Sequence, residues 1–395
     1  MTDAHALDTT GRGRHLVAVT AGVLLVCALL AFPLDLGNRP RLSLVSERVH
    51  GRIEAVTPGT DTNLPLAEVV FLDGRLAGQR AQAQVEGPSG QLQLPDYRPG
   101  EEVVVAIDTE PDGTRSVAVV DRWRLPLLQI LVGGFALVTI AVAGWRGLRS
   151  LVSLALTLVL TMQLLIPLLL TGWNAVGLAV GFGVLVTVAT LLLTQGASRA
   201  TLAAILGTAI GLAITGGLAV ATTMAARFTI AQGSEQVVSL QQLAGNKIDL
   251  SGMLLAAVIF GGLGVLIDVA ITQAVTIDEL LELDPTLSKR QLYNRTMRIG
   301  VAHLGATINT LIFAYLGTAL PLLVLLALQI ESFSATINEE VLAVEVVRTV
   351  VGIIGILSAV PIATAIAAWL APTGGAAPGP ADASGSLEGP VPTAG

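Results

Sequence analysis

The pattern of apolar and polar positions divides the chain into long apolar runs separated by short polar links. Eight runs are long enough for a helix to cross a bilayer, which takes about 20 residues. They are Leu16–Phe32, Leu125–Ala143, Leu151–Leu170, Ala175–Leu193, Leu202–Thr223, Ser251–Val275, Ile299–Leu328 and Val346–Leu370. The pattern predicts an α-helical integral membrane protein with about eight transmembrane helices.

Residues 37–124 follow a different pattern, in which apolar and polar positions alternate between glycine- and proline-containing turns. Short β-branched segments bounded by turn residues are typical of strands. Five such segments are predicted strands: Val49–Val56, Leu66–Leu72, Gln82–Val85, Val103–Asp108 and Ser116–Val120. Their number and length favour a small extracytoplasmic all-β domain, either an OB-like barrel or a sandwich.

The two patterns divide the chain into four parts. Residues 1–36 hold the N-terminus and the first helix, 37–124 the β-domain, 125–370 seven membrane helices, and 371–395 a tail rich in Gly, Ala, Pro and Ser. Such a tail is predicted to be disordered. The first helix resembles a signal peptide, with Arg12 and Arg14 before the apolar run, but no small-residue cleavage site follows it. We therefore favour an uncleaved helix.

Composition supports the membrane assignment. The chain of 395 residues is 53% hydrophobic and 13% charged, whereas soluble domains carry about 25% charged residues. Its one cysteine, Cys27, lies in the first apolar run and excludes a disulfide within the chain.

The distribution of positive charge predicts the orientation. Lysine and arginine concentrate in short cytoplasmic loops. With the N-terminus inside, the cytoplasmic side holds Arg12, Arg14, Arg146, Arg149, Arg199, Lys289, Arg290, Arg295 and Arg298, and the opposite side Arg227, Lys247 and Arg348. This predicts a multi-pass cell-membrane protein with both termini in the cytoplasm and residues 37–124 outside.

Polar side chains within two of the apolar runs are the candidate functional site. Ionisable residues at membrane depth are costly and normally face a bundle interior or a wet cavity. The candidate path for an ion or a polar solute comprises Asp268, Thr272, His303, Thr307, Asn309 and Thr310. The alternative is structural, with Asp268 pairing to a neighbour and stabilising the bundle.

Other features argue against catalysis. The sequence offers no paired intramembrane carboxylates, no catalytic motif and no metal-ligand cluster. We expect no enzyme activity, no cofactor, no metal and no nucleic-acid partner. Small residues at spacings that allow close helix packing are predicted contacts between helices: Gly177, Gly181, Gly207, Gly211, Gly261 and Gly264.

The link between the two polar runs carries its own helix signals. Thr276 with Glu279, and Ser288 with Gln291, have the spacing of capping boxes. We therefore predict a short acidic helix, a turn at Asp284-Pro285 and a basic helix that enters the membrane.

Two stretches resemble the YibE/F family of multipass bacterial membrane proteins. They are Gly261–Val269 with Thr272-Gln273-Ala274 and Glu279-Leu280, and Asn309–Tyr315 after His303 and Thr307. The order of one helix, an outside domain and a block of helices is similar too. The resemblance implies a bacterial cytoplasmic membrane. It also leads us to expect an Arg-Asp pair after Gly300, where this chain has Val301-Ala302.

Two functions stay open at this point. One is a transporter or channel-like protein for a small polar solute or ion, through the polar site on residues 251–328. The other is a non-transporting scaffold whose residues 37–124 bind an envelope protein. Either function places the chain in the lipid bilayer, and an oligomer is compatible with both.

Overall fold

The computed structural model describes residues 47–58, 65–86, 96–109, 115–228, 250–328 and 333–372. The predicted first helix, the N-terminal segment and nearly all of the predicted disordered tail lie outside these ranges. Contacts between residues divide the chain into two compact units, one ending at Leu148 and the other beginning again at Arg149. Each unit is described separately below.

The first unit contains a closed barrel of five strands. The strands are β1 Glu47–Thr57, β2 Leu66–Phe71, β3 Arg80–Val85, β4 Glu102–Thr109 and β5 Arg115–Arg122. They close in the order β1-β2-β3-β5-β4, antiparallel except for the parallel pair of β3 and β5. All five predicted strands are present, and the barrel is the predicted alternative that forms.

Alternation along the strands gives the barrel its core. Every second residue points inward in a strand, so Ile53, Val69, Val103 and Val119 are buried together. Gly51 is required where β1 approaches β4, because a Cβ there would lie 2.9 Å from Cγ2 of Val105. The alternation of apolar and polar residues that predicts the strands therefore also produces the core of the barrel.

A cluster of charged and aromatic side chains on the barrel includes Trp123, two residues before the first described helix begins at Leu125. The His50 ring stacks on Trp123 with centroids 4.0 Å apart. Its Nε2 lies 3.1 Å from one Glu102 oxygen, and Arg52 donates to the other at 3.1 Å. The Arg52 guanidinium and then the His50 ring hold the pKa of Glu102 below its usual range.

This cluster predicts an acid-dependent loss of barrel stability. Because the folded-state pKa of Glu102 is lowered, its contribution is present above the unfolded-state pKa, about 4.3, and is lost as pH falls through the folded-state value. We expect Glu102→Gln to flatten the fall in melting temperature between about pH 5 and pH 3. The melting temperature is measured by Trp123 fluorescence during thermal unfolding, in a variant whose other tryptophans are replaced by phenylalanine. Equal slopes for both proteins would contradict it.

The rest of the described chain is mainly helical. The helices are α1 Leu125–Leu160, α2 Ile166–Leu170, α3 Ala175–Thr194, α4 Arg199–Ala226, α5 Leu250–Leu283, α6 Lys289–Ala327, α7 Phe333–Ile337 and α8 Glu340–Leu370. A π-helical turn, Thr161–Leu165, joins α1 to α2. Six segments of the described chain are long and apolar enough to cross a membrane. The chain is therefore a largely helical membrane protein with a small N-terminal barrel.

The segment Leu125–Leu170, which the sequence predicts as two helices, runs through α1, the π-helical turn and α2 and has a break inside α1. Gly144 has φ 54° and ψ −131°, a conformation that residues with a Cβ rarely adopt. Beyond the break, Gly147 returns against the Thr139 carbonyl. The break thus falls at the predicted boundary near Ala143, and a glycine is its cause.

The core of the second unit forms where α4, α5 and α8 pack against one another. A Cβ on Gly207 would lie 2.6 Å from the Ala363 Cβ, and one on Gly211 would lie 2.7 Å from a Leu266 methyl. A methyl at Gly355 would meet the Thr215 hydroxyl. Glycine is therefore needed for these helices to approach so closely.

The link between α5 and α6 differs from its prediction in one half. Ser288 and Gln291 form the predicted capping box, with Ser288 N–H donating to Gln291 Oε1 at 2.9 Å. The separate acidic helix is wrong, because α5 continues without a break to Leu283. Thr276 does not cap, since its hydroxyl donates to the Thr272 carbonyl at 2.7 Å within the helix.

Candidate functional site

Asp268 and Thr272 lie on α5, in the middle of its apolar stretch. Asp268 is exposed and Thr272 is half-buried. Asp268 makes no hydrogen bond or ion pair with the part of the chain that the structure describes. The carboxylate therefore does not hold α5 to a neighbouring helix there.

The four predicted residues of α6 divide between two faces. Thr307 is 9% exposed, and its hydroxyl donates to the His303 carbonyl at 3.1 Å. His303, Asn309 and Thr310 are exposed, and the Thr310 hydroxyl donates to the Ala306 carbonyl at 3.0 Å. The hydroxyls of Thr307 and Thr310 are thus engaged with α6 itself rather than with α5.

Two contacts fix how α5 and α6 pass each other. A Cβ on Gly300 would lie 2.6 Å from Oε1 of Gln273, and one on Gly261 would lie 2.6 Å from the Tyr315 hydroxyl. The helices are antiparallel, so Asp268, between Gln273 and Gly261, comes level with the part of α6 around Thr307. The structure brings the predicted residues of α5 and α6 level with one another along the helix pair, with no hydrogen bond between the two sets among the described residues.

The sequence prediction did not single out the buried amide of Gln273, five residues after Asp268 on α5. Gln273 is 1% exposed, and its Oε1 accepts a hydrogen bond from Thr364 at 3.0 Å. Thr364 is fully buried on α8. Gln273 belongs to the stretch that carries the family resemblance, and it joins α5, α6 and α8. Val301 and Ala302, where an Arg-Asp pair was expected, are exposed on α6 just beyond this contact.

The six predicted packing glycines have different surroundings. Gly207, Gly211 and Gly261 lie against neighbouring helices. Gly181 and Gly264 have no such atom within 4 Å of a Cβ position, and Gly177 has only its own N-cap residue, Asn174. Gly177 and Gly181 instead border a cavity of about 300 Å³ beside Trp173.

The second unit contains a cavity of about 600 Å³ between α1, the π-helical turn, α3 and α5. We call it the hydroxyl cavity, because six of its lining residues carry hydroxyl groups. The described residues that line it are Ser150, Ser153, Leu154, Thr157, Thr161, Leu165, Phe182, Val186, Thr190, Thr194, Phe260, Leu263, Gly264 and Ile267. None of these residues has an ionisable side chain.

Hydrogen bonds within the wall orient several of these hydroxyls. Ser153 donates to Thr190 Oγ1 at 3.0 Å. Thr161 donates to the Thr157 carbonyl at 2.8 Å, and Thr194 donates to the Thr190 carbonyl at 2.7 Å. Protons already donated in this way leave oxygen lone pairs as the free hydrogen-bonding capacity of those groups.

The π-helical turn forms part of the same wall. Thr161 and Leu165, its first and last residues, both line the cavity. Single π-helical turns interrupt α-helices frequently at functional sites. The turn widens the helix from Thr161 onwards. The cavity therefore coincides with an irregularity in the helix.

Asp268 lies next to this cavity along α5. It follows Ile267 directly and comes one helical turn after Gly264, both of which line the cavity. Asp268 is therefore adjacent to the cavity along α5, although it is not among the described lining residues. Sequence reasoning missed the hydroxyls because single Ser and Thr residues are common in membrane helices.

Metal binding finds no support from clustered side chains in the described ranges. There, no group of three or more His, Cys, Asp or Glu residues is arranged to hold a metal ion. The polar groups of the candidate site are hydroxyls, the amides of Gln273 and Asn309, the His303 ring and the Asp268 carboxylate.

Comparison with known proteins gives one match. The family described as "YibE/F-like protein" matches residues 131–373, which is more than half of the chain. The matched range includes the hydroxyl cavity, Asp268 and Gln273. No curated protein and no solved structure matches the chain.

Proposed function

This chain belongs to the YibE/F-like family, and we propose that it is a transporter or channel-like protein that passes a small polar solute or ion. The observation that supports the proposal most strongly is the hydroxyl cavity, with six hydroxyl-bearing residues inside a bundle of apolar helices. Polar groups at membrane depth line substrate and ion pathways when they face a cavity. Asp268 supplies a carboxylate at its border.

The cavity also has the dimensions of a binding site. Ligand pockets have volumes of about 300–1,000 Å³ and combine apolar walls with a few polar groups. The hydroxyl cavity falls within this range and has that composition. Because its hydroxyls come from three separate elements, small shifts between the helices would change its access, as alternating exposure of a solute requires.

Filling the cavity tests the proposal. Gly264 lines the cavity and has no atom within 4 Å of a Cβ position, so Gly264→Leu adds volume there without a clash at Cβ. In sealed vesicles tested with a panel of ions and small polar solutes, we expect the wild-type flux to be lost in Gly264→Leu. Gly217→Leu is the matched control, since Gly217 is exposed on α4 and equally uncrowded. Flux that survives in Gly264→Leu would contradict a route through this cavity.

The scaffold function has an observation of its own. The barrel belongs to a compact unit that is separate from the main helical one, and it has its own hydrophobic core. A separate domain of this kind suits recruitment of an envelope protein. Capture of a stable partner that depends on residues 37–124, together with absence of flux for every solute in the panel, would favour the scaffold.

The proposed orientation has the barrel outside the cell and the α5–α6 link inside. In a Cys27→Ala background, we expect a membrane-impermeant maleimide to label Gln79→Cys in intact cells. The reagent should label Arg290→Cys only after the membrane is opened. Both positions are exposed, so accessibility of the side chain does not distinguish them. Labelling of both in intact cells would overturn the orientation.

A further inference from the structure

We propose that the hydroxyl cavity selects a small organic cation, such as a primary amine or an alkylammonium group. This inference rests on the proposed function, because it names the class of solute that the same cavity would take. It follows from three properties of the cavity: the hydrogen-bonding capacity left on its hydroxyls, its aromatic wall and the sign of the nearby charge.

The first property is an excess of acceptors. Three of the six hydroxyl groups donate their protons within the wall, from Ser153, Thr161 and Thr194. A hydroxyl has one proton and two lone pairs, so an oxygen that has given up its proton can only accept. A ligand with N–H or O–H donors, or with a positive charge, complements such a wall. An anion would find donors only on the other three hydroxyls, those of Ser150, Thr157 and Thr190, and is less well matched to the wall.

The second property is an aromatic wall. Phe182 and Phe260 line the cavity as an edge-to-face pair, with centroids 5.8 Å apart and planes at 83°. The face of an aromatic ring attracts a cation, and rings recognise alkylammonium groups in particular because these groups are weakly hydrated. The remaining α5 residues on this side are aliphatic. The α5 wall holds Phe260 and no hydroxyl, whereas Phe182 lies on α3 together with Thr190 and Thr194. A ligand with a polar head and methyl groups can therefore contact both kinds of group.

The third property is charge. Among the described lining residues there is no Lys, Arg or His that would repel a cation. Arg149, which directly precedes the lining residue Ser150, is buried and is engaged in an interaction of its own. The carboxylate nearest along α5, Asp268, follows the lining residue Ile267 and has no ion-pair partner in the part of the chain that the structure describes. In a medium of low dielectric constant, a carboxylate favours a cation over a neutral or anionic solute at considerable distance.

The volume distinguishes an organic cation from a bare metal ion. A cavity of about 600 Å³ is much larger than a dehydrated Na⁺ or K⁺ would need. It lies within the range of about 300–1,000 Å³ that holds organic ligands. The six hydroxyls are also spread over α1, the π-helical turn and α3 rather than gathered around one point.

Binding of a matched pair of probes tests the inference. Choline and 3,3-dimethyl-1-butanol have the same shape and differ in the charge of one central atom. With the purified full-length protein in lipid nanodiscs, we expect choline to bind about tenfold more tightly than the neutral alcohol, a ratio equivalent to about 1.4 kcal/mol. Phe260→Leu should remove most of that ratio, because it keeps an apolar side chain and deletes the ring.

The controls keep the inference separate from folding and from transport. Phe135→Leu, an exposed phenylalanine of α1 outside the cavity, should leave the ratio unchanged. Equal affinities for the two probes, or a choline preference that survives Phe260→Leu in a folded protein, would overturn the cation site. Choline binding without any flux would refute the transport proposal alone. Flux of a neutral or anionic solute without choline binding would refute the cation inference alone.

Discussion

Asp268→Asn is expected to lower flux through the protein at least about tenfold, equivalent to 1.4 kcal/mol or more, while leaving it folded and inserted. Asparagine keeps the size and the hydrogen-bonding groups of aspartate and removes the charge. The carboxylate is exposed on α5 beside the hydroxyl cavity. An ionisable group in an apolar run is costly to retain, and here no described contact compensates for that cost.

The structure also separates this role from a structural one. A residue that stabilises the bundle would lose a contact when changed to leucine, and the protein would unfold. Asp268 has no hydrogen bond or ion pair to the described residues, so we expect Asp268→Leu to remain folded as well.

Glu279→Gln is the matched control for Asp268→Asn, since Glu279 is exposed three turns further along α5. It should keep normal flux. Flux in the sealed vesicles and thermal unfolding in detergent measure the two effects separately. Full flux in both Asp268→Asn and Asp268→Ala would show that the site is assigned wrongly.

Gly207→Leu is expected to prevent the helical unit from folding, and Gly207→Ala to destabilise it by about 1–3 kcal/mol. A Cβ on Gly207 would lie 2.6 Å from the Cβ of Ala363 and 2.9 Å from its Cα. These atoms belong to the α8 backbone and its first side-chain carbon, so no rotamer change can relieve the overlap. The two helices would have to separate, and with them the α4–α5–α8 core.

Gly217 provides the comparison on the same helix. It is exposed, and no atom lies within 4 Å of its Cβ position among the described surroundings. Gly217→Ala and Gly217→Leu should therefore unfold at the wild-type temperature, or slightly above it because alanine favours a helix over glycine. Unfolding followed by circular dichroism in detergent gives both values. Similar behaviour of the two positions would mean that the α4–α8 contact does not carry the stability of the bundle.

Asp268 lies on α5, and Gly207 lies on α4, which packs against α5. Gln273, five residues beyond Asp268, accepts a hydrogen bond from Thr364 of α8 and fills the space that Gly300 leaves on α6. One face of α5 therefore holds the bundle together, and another carries the exposed carboxylate. A helix fixed so firmly on one side can hold Asp268 in position without using Asp268 itself as a contact.

The sequence by itself determined the local elements and their order. Alternation within residues 37–124 predicted five strands, and all five are present because alternation is what a strand with one buried face requires. The long apolar runs predicted the helices for an equally local reason. The Ser288–Gln291 capping box formed as predicted, since its hydrogen bonds join groups only three residues apart.

The closing of the barrel and the faces of the helices were decided only by the tertiary structure. Gly181 and Gly207 occur in the same kind of small-residue pattern, yet Gly181 faces no neighbouring helix in the described chain and Gly207 touches Ala363. In a soluble protein, polarity would mark which helix face is buried. Lipid is as apolar as the helix core, so a membrane helix carries little such signal.

The hydroxyl cavity shows the same limit most clearly. Ser153, Thr161 and Thr190 come from the end of α1, the π-helical turn and α3, and each alone is an ordinary residue of a membrane helix. The Ser153–Thr190 bond of 3.0 Å exists only once α1 and α3 have packed, whereas Thr161 donates to a carbonyl four residues earlier in the chain. The sequence singled out Asp268 because one charge in an apolar run is conspicuous. The cavity beside it arises from long-range packing, which joins residues whose individual patterns carry no information about one another.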